Sequence, residues 1–447
     1  MLLMLLAFSP KAYPRTAFKQ LTSVNHTAEE ILVEKVVFNG LKRTSLKWVK
    51  HYLSLDQLPL AMTEKRAYAL ALKLMTSGVF SKVEVGFAEE RSKNGKQITL
   101  RFDCEEKWTT IPVLRGQYGG GTPLFVAGVY DTHSFGKLWT LGGEFRKYGD
   151  SSPGSVLYAK APRWGRGRHV LGFEWWQDNR RRSFYSKQFE EVAELESANS
   201  KLRVNVMLPI SGDGGDEGFQ VGFDLYGLRS SKASLELISN DAGFNEKWSQ
   251  VDLEGSKDWE WLIYPALIYD DVLINNISYH GLRFVSKAGA SYRNRKWNPA
   301  WELESFYYHL WGQNLNLALH GFAAYRESRT LPSLYYLGGF ESIRGIVDGA
   351  IFGTQAAYAN VEMRHLFYKF PYLWLQSAFF IDGGAAAFSV KDLDHNLHAS
   401  TGVGLRLAVP QIYRLMIRFD IAFSLNKPGE FGLSAGLNQL FQPYRPL

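Results

Sequence analysis

From Trp108 to the C-terminus the chain alternates. Stretches of about ten residues place apolar side chains at every second position, and a helical period is almost absent. In one stretch Leu415, Ile417, Phe419, Ile421, Phe423 and Leu425 share a face, while Met416, Arg418, Asp420, Ala422 and Ser424 share the other. Just before it Val403, Leu405, Leu407 and Val409 alternate with Gly402, Gly404, Arg406 and Ala408, and just after it Phe431, Leu433, Ala435 and Leu437 alternate with Gly432, Ser434, Gly436 and Asn438. A soluble sandwich could bury such faces, but these lengths also suit tilted strands crossing a bilayer. Repeated side by side, they give an apolar exterior around a polar lumen. Strands are predicted to start near residues 109, 125, 138, 155, 169, 201, 218, 259, 281, 298, 314, 355, 374, 397, 413 and 430, an even set of sixteen. The links alternate in length. Those near 165–168, 211–217, 310–313 and 410–412 are short, and those near 179–199, 230–258 and 326–354 are long, as expected for short turns at one mouth of a membrane barrel and long loops at the other.

Residues 29–106 read differently. Ile31 to Phe38 is β-branched and apolar and closes on Asn39-Gly40, a strand and a turn. Thr44 or Ser45 can cap a helix running to about Leu53, and Thr63 can cap a second whose Ala67, Leu70, Ala71 and Leu74 share a face, ending at Gly78. Phe80 to Phe87 and Lys96 to Cys104 alternate, giving a small β-α-α-β-β domain.

Composition removes several alternatives. With one Cys among 447 residues, neither an internal disulfide nor a cysteine-ligated zinc site can form, and the ten His show no ligand spacing, so no metal is expected. No window reaches the 18 or so apolar residues of a membrane-spanning helix. A net charge of +7 suits nucleic acid or an anionic membrane surface and does not choose between them. Aromatics at 15% favour the bilayer, because Trp and Tyr concentrate at its interfaces. Residues 1–12 open on the apolar run Met1 to Phe8 and read as an export signal lacking its basic start, with 13–28 as a short connecting segment. Gly432 to Gly436 spells Gly-x-Ser-x-Gly but lies in an alternating strand, so it is no nucleophile elbow. Asn179 to Arg182 reads as a solvated loop, and Cys104 as a small strand residue.

Phe38-Asn39-Gly40, followed by Ser77-Gly78-Val79-Phe80-Ser81-Lys82-Val83, resembles a POTRA domain. Leu337 to Ile346 (LGGFESIRGI) resembles the loop-six motif of the BamA/TamA-like outer-membrane protein assembly superfamily, which also includes two-partner-secretion transporters. Ile343, Arg344 and Gly345 match Val/Ile-Arg-Gly, and Ile346 stands where the family has an aromatic; Gly339 and Phe340 support the motif. Phe380-Ile381-Asp382-Gly383-Gly384 matches Phe-x-Asp-x-Gly, and Asn360 to Arg364 resembles the preceding Glu-bearing strand. Tyr130-Asp131 to Phe135-Gly136 resembles the family's Asn-x-x-Gly region without its Asn. The residues themselves agree. Alternation turns Tyr358, Asn360, Glu362 and Arg364 to one side of their strand, and Phe380, Asp382 and Gly384 to one side of theirs. Two inward acids would accept a guanidinium, and Arg344 offers a planar fork, so Arg344, Asp382 and Glu362 are expected to lock loop six inside the barrel.

The resemblance implies a mainly β fold, a sixteen-stranded antiparallel transmembrane barrel (107–447) behind one small α+β POTRA domain (29–106), in the bacterial outer membrane with POTRA in the periplasm. It implies insertion or translocation of proteins through a lateral seam between the first and last strands, with no catalytic residue and no cofactor. Pro112, which lacks a ladder donor, and Gly432 and Gly436 would weaken that seam. Expected partners are unfolded outer-membrane or secreted polypeptides at the POTRA edge and the seam, outer-membrane lipids and accessory lipoproteins, and no nucleic acid. Two alternatives remain open: a two-partner-secretion-type exporter, and a structural or lipid-related barrel without insertase activity.

Overall fold

The computed structural model describes residues 30–77, 79–92, 95–106, 108–119, 121–164, 169–186, 190–210, 218–275, 277–312, 314–339, 342–409, 416–427 and 431–437. The proposed signal at 1–12, the segment at 13–28, Gly78, Phe340 and the short links near 165–168, 211–217 and 410–412 lie outside these residues. The chain divides into two compact units after residue 107.

The first unit runs β1 (Ile31–Val33), β2 (Lys35–Asn39), α1 (Leu46–Tyr52), β3 (Leu60–Met62), α2 (Glu64–Thr76), β4 (Phe80–Ser92) and β5 (Gly95–Glu106). Both helices start where hydroxyls can take orphan N–H groups. Ser45 Oγ accepts from Trp48 N–H at 3.4 Å and Thr63 Oγ1 from Arg66 N–H at 3.2 Å. Ala67, Ala71 and Leu74 are buried with Val33, Val49, Met62, Phe80 and Phe102, whereas Leu70 is half-buried. The sheet order is β2-β5-β4, with β2 parallel to β5 and β4 antiparallel to it. The single strand expected over Ile31 to Phe38 is broken at Glu34 into β1 and β2, which join different sheets. β3, three residues long and too short to show a period, was not anticipated and pairs antiparallel with β1.

The second unit is a closed antiparallel barrel. Its strands are β6 (Thr110–Gly119), β7 (Thr122–Ser134), β8 (Trp139–Tyr148), β9 (Gly154–Trp164), β10 (His169–Tyr185), β11 (Glu191–Pro209), β12 (Gly218–Leu237), β13 (Glu260–Asp270), β15 (Ser278–Arg293), β16 (Lys296–Trp311), β17 (Leu315–Arg326), β20 (Gln355–Lys369), β21 (Trp374–Ala387), β22 (His398–Ala408), β23 (Met416–Ser424) and β24 (Phe431–Leu437). Short elements complete it: α3 (Ala242–Trp248), β14 (Leu273–Asn275), which pairs with β15, and the pair β18 (Tyr335–Leu337) and β19 (Ile351–Gly353). The alternation lies as predicted. Along β23, Ile417, Phe419, Ile421 and Phe423 face outward, while Met416, Arg418, Asp420, Ala422 and Ser424 are buried. Trp297, Trp301 and Trp311 stand on the outer surface of β16.

The expected loop at 179–199 is mostly strand. β10 and β11 pair from Tyr185 and Glu191 downward, and β11 begins ten residues before its predicted start of 201. With 17, 19 and 20 residues, β10, β11 and β12 exceed the roughly 9–11 that cross a bilayer. Their excess length continues beyond one mouth, where no lipid demands alternation. Asn179 to Arg182 is therefore no solvated loop. Arg180 pairs with Asp178 and stacks on Tyr148, Arg181 pairs with Glu194, and Arg182 lies over the Tyr336 ring. The connection expected at 230–258 starts only after Leu237 and contains α3, capped by Asp241 accepting from Phe244 N–H at 2.7 Å. Phe184, Leu195, Phe244, Leu331, Leu334 and Phe352 form one apolar cluster that joins this connection to β10, β11 and the β17–β20 connection.

Candidate functional site

The connection from β17 to β20 folds back into the lumen. β18 and β19 pair as its stem, and Gly338, Gly339, Gly345 and Gly349 all have positive φ, which lets the tip turn tightly. Gly339 N–H donates to Ile346 O and Gly338 N–H to Ser342 Oγ, both at 2.8 Å. Ile343 and Ile346 are buried against Leu337, Ile351, Ala356 and Ala386. Ile346, in the position of the expected aromatic, thus fills an apolar seat.

Arg344 is fully buried, and its guanidinium spans two strands. Nε and Nη2 donate to Asp382 Oδ2 and Oδ1 at 2.7 and 2.9 Å, while Nη1 donates to Glu362 Oε2 at 2.8 Å. Asp382 also accepts from Arg344 N–H at 3.1 Å and from Asn360 Nδ2 at 2.9 Å, which fills the roughly four acceptor sites of a carboxylate. Asn360 and Asp382 are ladder partners, and the same Asn360 amide donates to Ser342 O at 2.7 Å. The Arg344 Cζ lies 3.4 Å from the Phe380 ring centroid. Phe380 needs the bare backbone behind it, since a Cβ on Gly402 would stand 2.5 Å from its ring. Gly384 gives similar room to Tyr358 and Ile343.

The charge set extends past the expected triad. Glu362 Oε1 accepts from Arg364 Nε at 2.9 Å and Arg406 Nη2 at 3.1 Å, and Arg406 Nη1 donates to Asp420 Oδ1 at 2.6 Å. Arg344 Nη1 is 3.7 Å from Asp420, and Arg418 Nε is 3.3 Å from its other oxygen. Among the described residues, four buried guanidiniums thus face three buried carboxylates across β20, β21, β22 and β23. A low-dielectric interior makes each partner dependent on the others.

The predicted seam residues fall in different places. Gly432 stands beneath the loop-six tip, where its added Cβ would lie 2.7 Å from Gly345 Cα. Gly436 is a ladder partner of Arg418 on one side, and on the other its Cβ would lie 3.3 Å from Gln117 of β6. Pro112 pairs with Val129 in the β6–β7 ladder. Among the described residues the β24–β6 ladder consists of Ala435 opposite Tyr118. Ser434 of the discounted Gly-x-Ser-x-Gly string is buried in β24 and reaches Asp420 at 3.5 Å. Asp131 accepts from Thr109 Oγ1 at 2.6 Å and from His133 N–H at 3.2 Å, organising the turn after β7.

Residues 171–438, more than half of the chain, match the family model described as the Omp85 superfamily domain. The chain belongs to the Omp85 superfamily. Among solved structures, BamA from Haemophilus ducreyi lacking POTRA domains 1–3 is similar with a TM-score of 0.63 at 15% identity, covering 91% of this chain and 84% of that one. CdiB from Acinetobacter baumannii matches with 0.61 at 14%, covering 91% and 73%, and CdiB from Escherichia coli with 0.53 at 11%, covering 94% and 92%. At these identities they show a shared fold. No curated protein sequence gives a significant match. In this Omp85 chain Arg406, Arg418 and Asp420 were visible as inward positions, but nothing in the alternation says that they meet the loop-six arginine.

Proposed function

We propose that this Omp85 barrel inserts or translocates polypeptides at the outer membrane, opening sideways between β24 and β6, with loop six locked in the lumen by Arg344, Asp382 and Glu362. The N-terminal unit is read as a POTRA domain in the periplasm, whose outer strands β2 and β4 offer edges to extended clients. The work is binding and strand exchange, without catalysis or cofactor. The observation that carries the reading is the Arg344 guanidinium held across β20 and β21 by three side-chain hydrogen bonds at 2.7 to 2.9 Å. It ties a long inward loop to the wall that ends in the seam strand, and the small Gly345–Gly432 contact continues the tie to β24. An exporter that conducts one substrate through its lumen would share this fold, as the comparable likeness to BamA and CdiB indicates.

A disulfide between Tyr118→Cys and Ala435→Cys in a Cys104→Ser background separates the two. Lateral insertion predicts that the crosslink forms, stops assembly of other outer-membrane barrels in cells and is relieved by reductant. Crosslinked protein that still supports normal assembly would refute it in favour of conduction or a structural role.

A further inference from the structure

We infer that Glu260 forms, with the hydroxyls of Ser328, Thr330 and Ser333, a second seat for loop six that holds its first arm, the one leading from β17 to the tip, independently of Arg344. The inference rests on the reading of loop six as an anchored element and adds an anchor outside the motif. Glu260 opens β13 on the inner wall and is fully buried. Its Oε2 accepts from Ser328 Oγ at 2.8 Å, Thr330 Oγ1 at 2.6 Å and Ser333 Oγ at 2.9 Å. Among the described residues its Oε1 has no hydrogen-bond partner and no cation pairs with the carboxylate. A buried anion is costly unless donors compensate it. Among the described residues every side-chain donor on Glu260 comes from one six-residue stretch of the loop, so withdrawing that stretch would strip the carboxylate at once. The neighbouring backbone follows the same arm. Asp252 N–H donates to Arg329 O at 2.9 Å and Leu331 N–H to Ser256 Oγ at 2.8 Å, joining the β12–β13 connection to it.

Glu260 is therefore a positioning residue. It acts on residues 328–333, next to β13, whereas Arg344 acts on the tip, next to β20 and β21. Two anchors on separated strands make loop six a brace across the lumen rather than a strap fixed at one point. Three hydroxyls spaced Ser-x-Thr-x-x-Ser converge because the arm turns through the short helical turn Leu331–Ser333, where Ser333 N–H donates to Thr330 O at 2.9 Å.

Peptide-resolved hydrogen exchange on the full chain in detergent micelles tests this, with heat-modifiable gel mobility confirming that each variant is folded. Glu260→Leu, similar in size but without an acceptor, should speed exchange across 328–334 by about ten-fold or more while leaving 342–346 at the wild-type rate. Glu260→Gln, which keeps an acceptor oxygen, should restore protection. Arg344→Ala should do the reverse, releasing 342–346 and sparing 328–334. Unchanged exchange at 328–334 in Glu260→Leu would overturn the second seat, as would joint release of both segments by Arg344→Ala. If Glu260→Leu releases 328–334 but Arg344→Ala leaves 342–346 protected, the Arg344 lock fails and the Glu260 seat stands.

Discussion

Replacing Arg344 with Ala removes two bonds from Asp382, one from Glu362 and the stacking on Phe380. Glu362 retains Arg364 and Arg406, so the damage concentrates on Asp382, which among the described residues keeps Asn360 and the residue-344 N–H. Stripping a buried carboxylate of its cation costs about 3–5 kcal/mol, and the two surviving donors put the expected loss at the low end, about 3 kcal/mol. Removing Asp382 as well deletes the group that was left bare. The double variant Arg344→Ala/Asp382→Ala should therefore be less destabilised than the sum of the single variants, with a coupling of about 2 kcal/mol. Urea unfolding of the refolded barrel in micelles, followed by Trp fluorescence through the full cycle, measures it. A coupling below about 0.5 kcal/mol would refute the reasoning, because it would show two independent residues rather than a shared site.

Gly432→Ala, whose methyl would meet Gly345 backbone at 2.7 Å, should destabilise the barrel by about 1–3 kcal/mol, while Gly116→Ala, with nothing within 4 Å, should stay within about 0.5 kcal/mol; heat-modifiable mobility against temperature compares them. Burial, then the charges of Asp103 and Glu106, pushes the Cys104 thiol up to about 11. Iodoacetamide should alkylate the folded chain slowly at pH 8 and faster by about ten-fold per pH unit toward 11, whereas the urea-unfolded chain should level off near the ordinary value of about 8.5. Because the folded state holds this proton more tightly, its contribution to stability is present below the unfolded thiol value and lost as pH rises toward about 11.

Where lipid touches the strands, the fold was legible. β23 can be read residue by residue because every second side chain answers to the bilayer. Beyond the membrane that constraint ends. The outer parts of β10 and β11 carry charged and small residues on both faces, and cross-strand pairs such as Arg181 with Glu194 give no periodic trace along one strand. The candidate site divides in the same way. Glu362 and Asp382 were readable as inward acids near an arginine loop, since facing depends only on alternation. That Arg406 would reach both Glu362 and Asp420 depends on register between neighbouring strands and on how far a loop descends, neither of which one strand's pattern encodes. Glu260 carries no such trace either, because its partners lie about seventy residues along the chain, on an irregular arm.

The contact between Gly345 and Gly432 is backbone against backbone. Most packed surfaces absorb small displacements by turning a side chain from one rotamer to another, and this one has no rotamer to turn. A sideways shift of β24 toward the lumen must push the loop-six tip with it or stop. The pair works as a rigid bearing with no play: a methyl added at Gly432 acts as a shim against the loop-six tip, while one added at Gly345 wedges against Ala422 of the neighbouring β23.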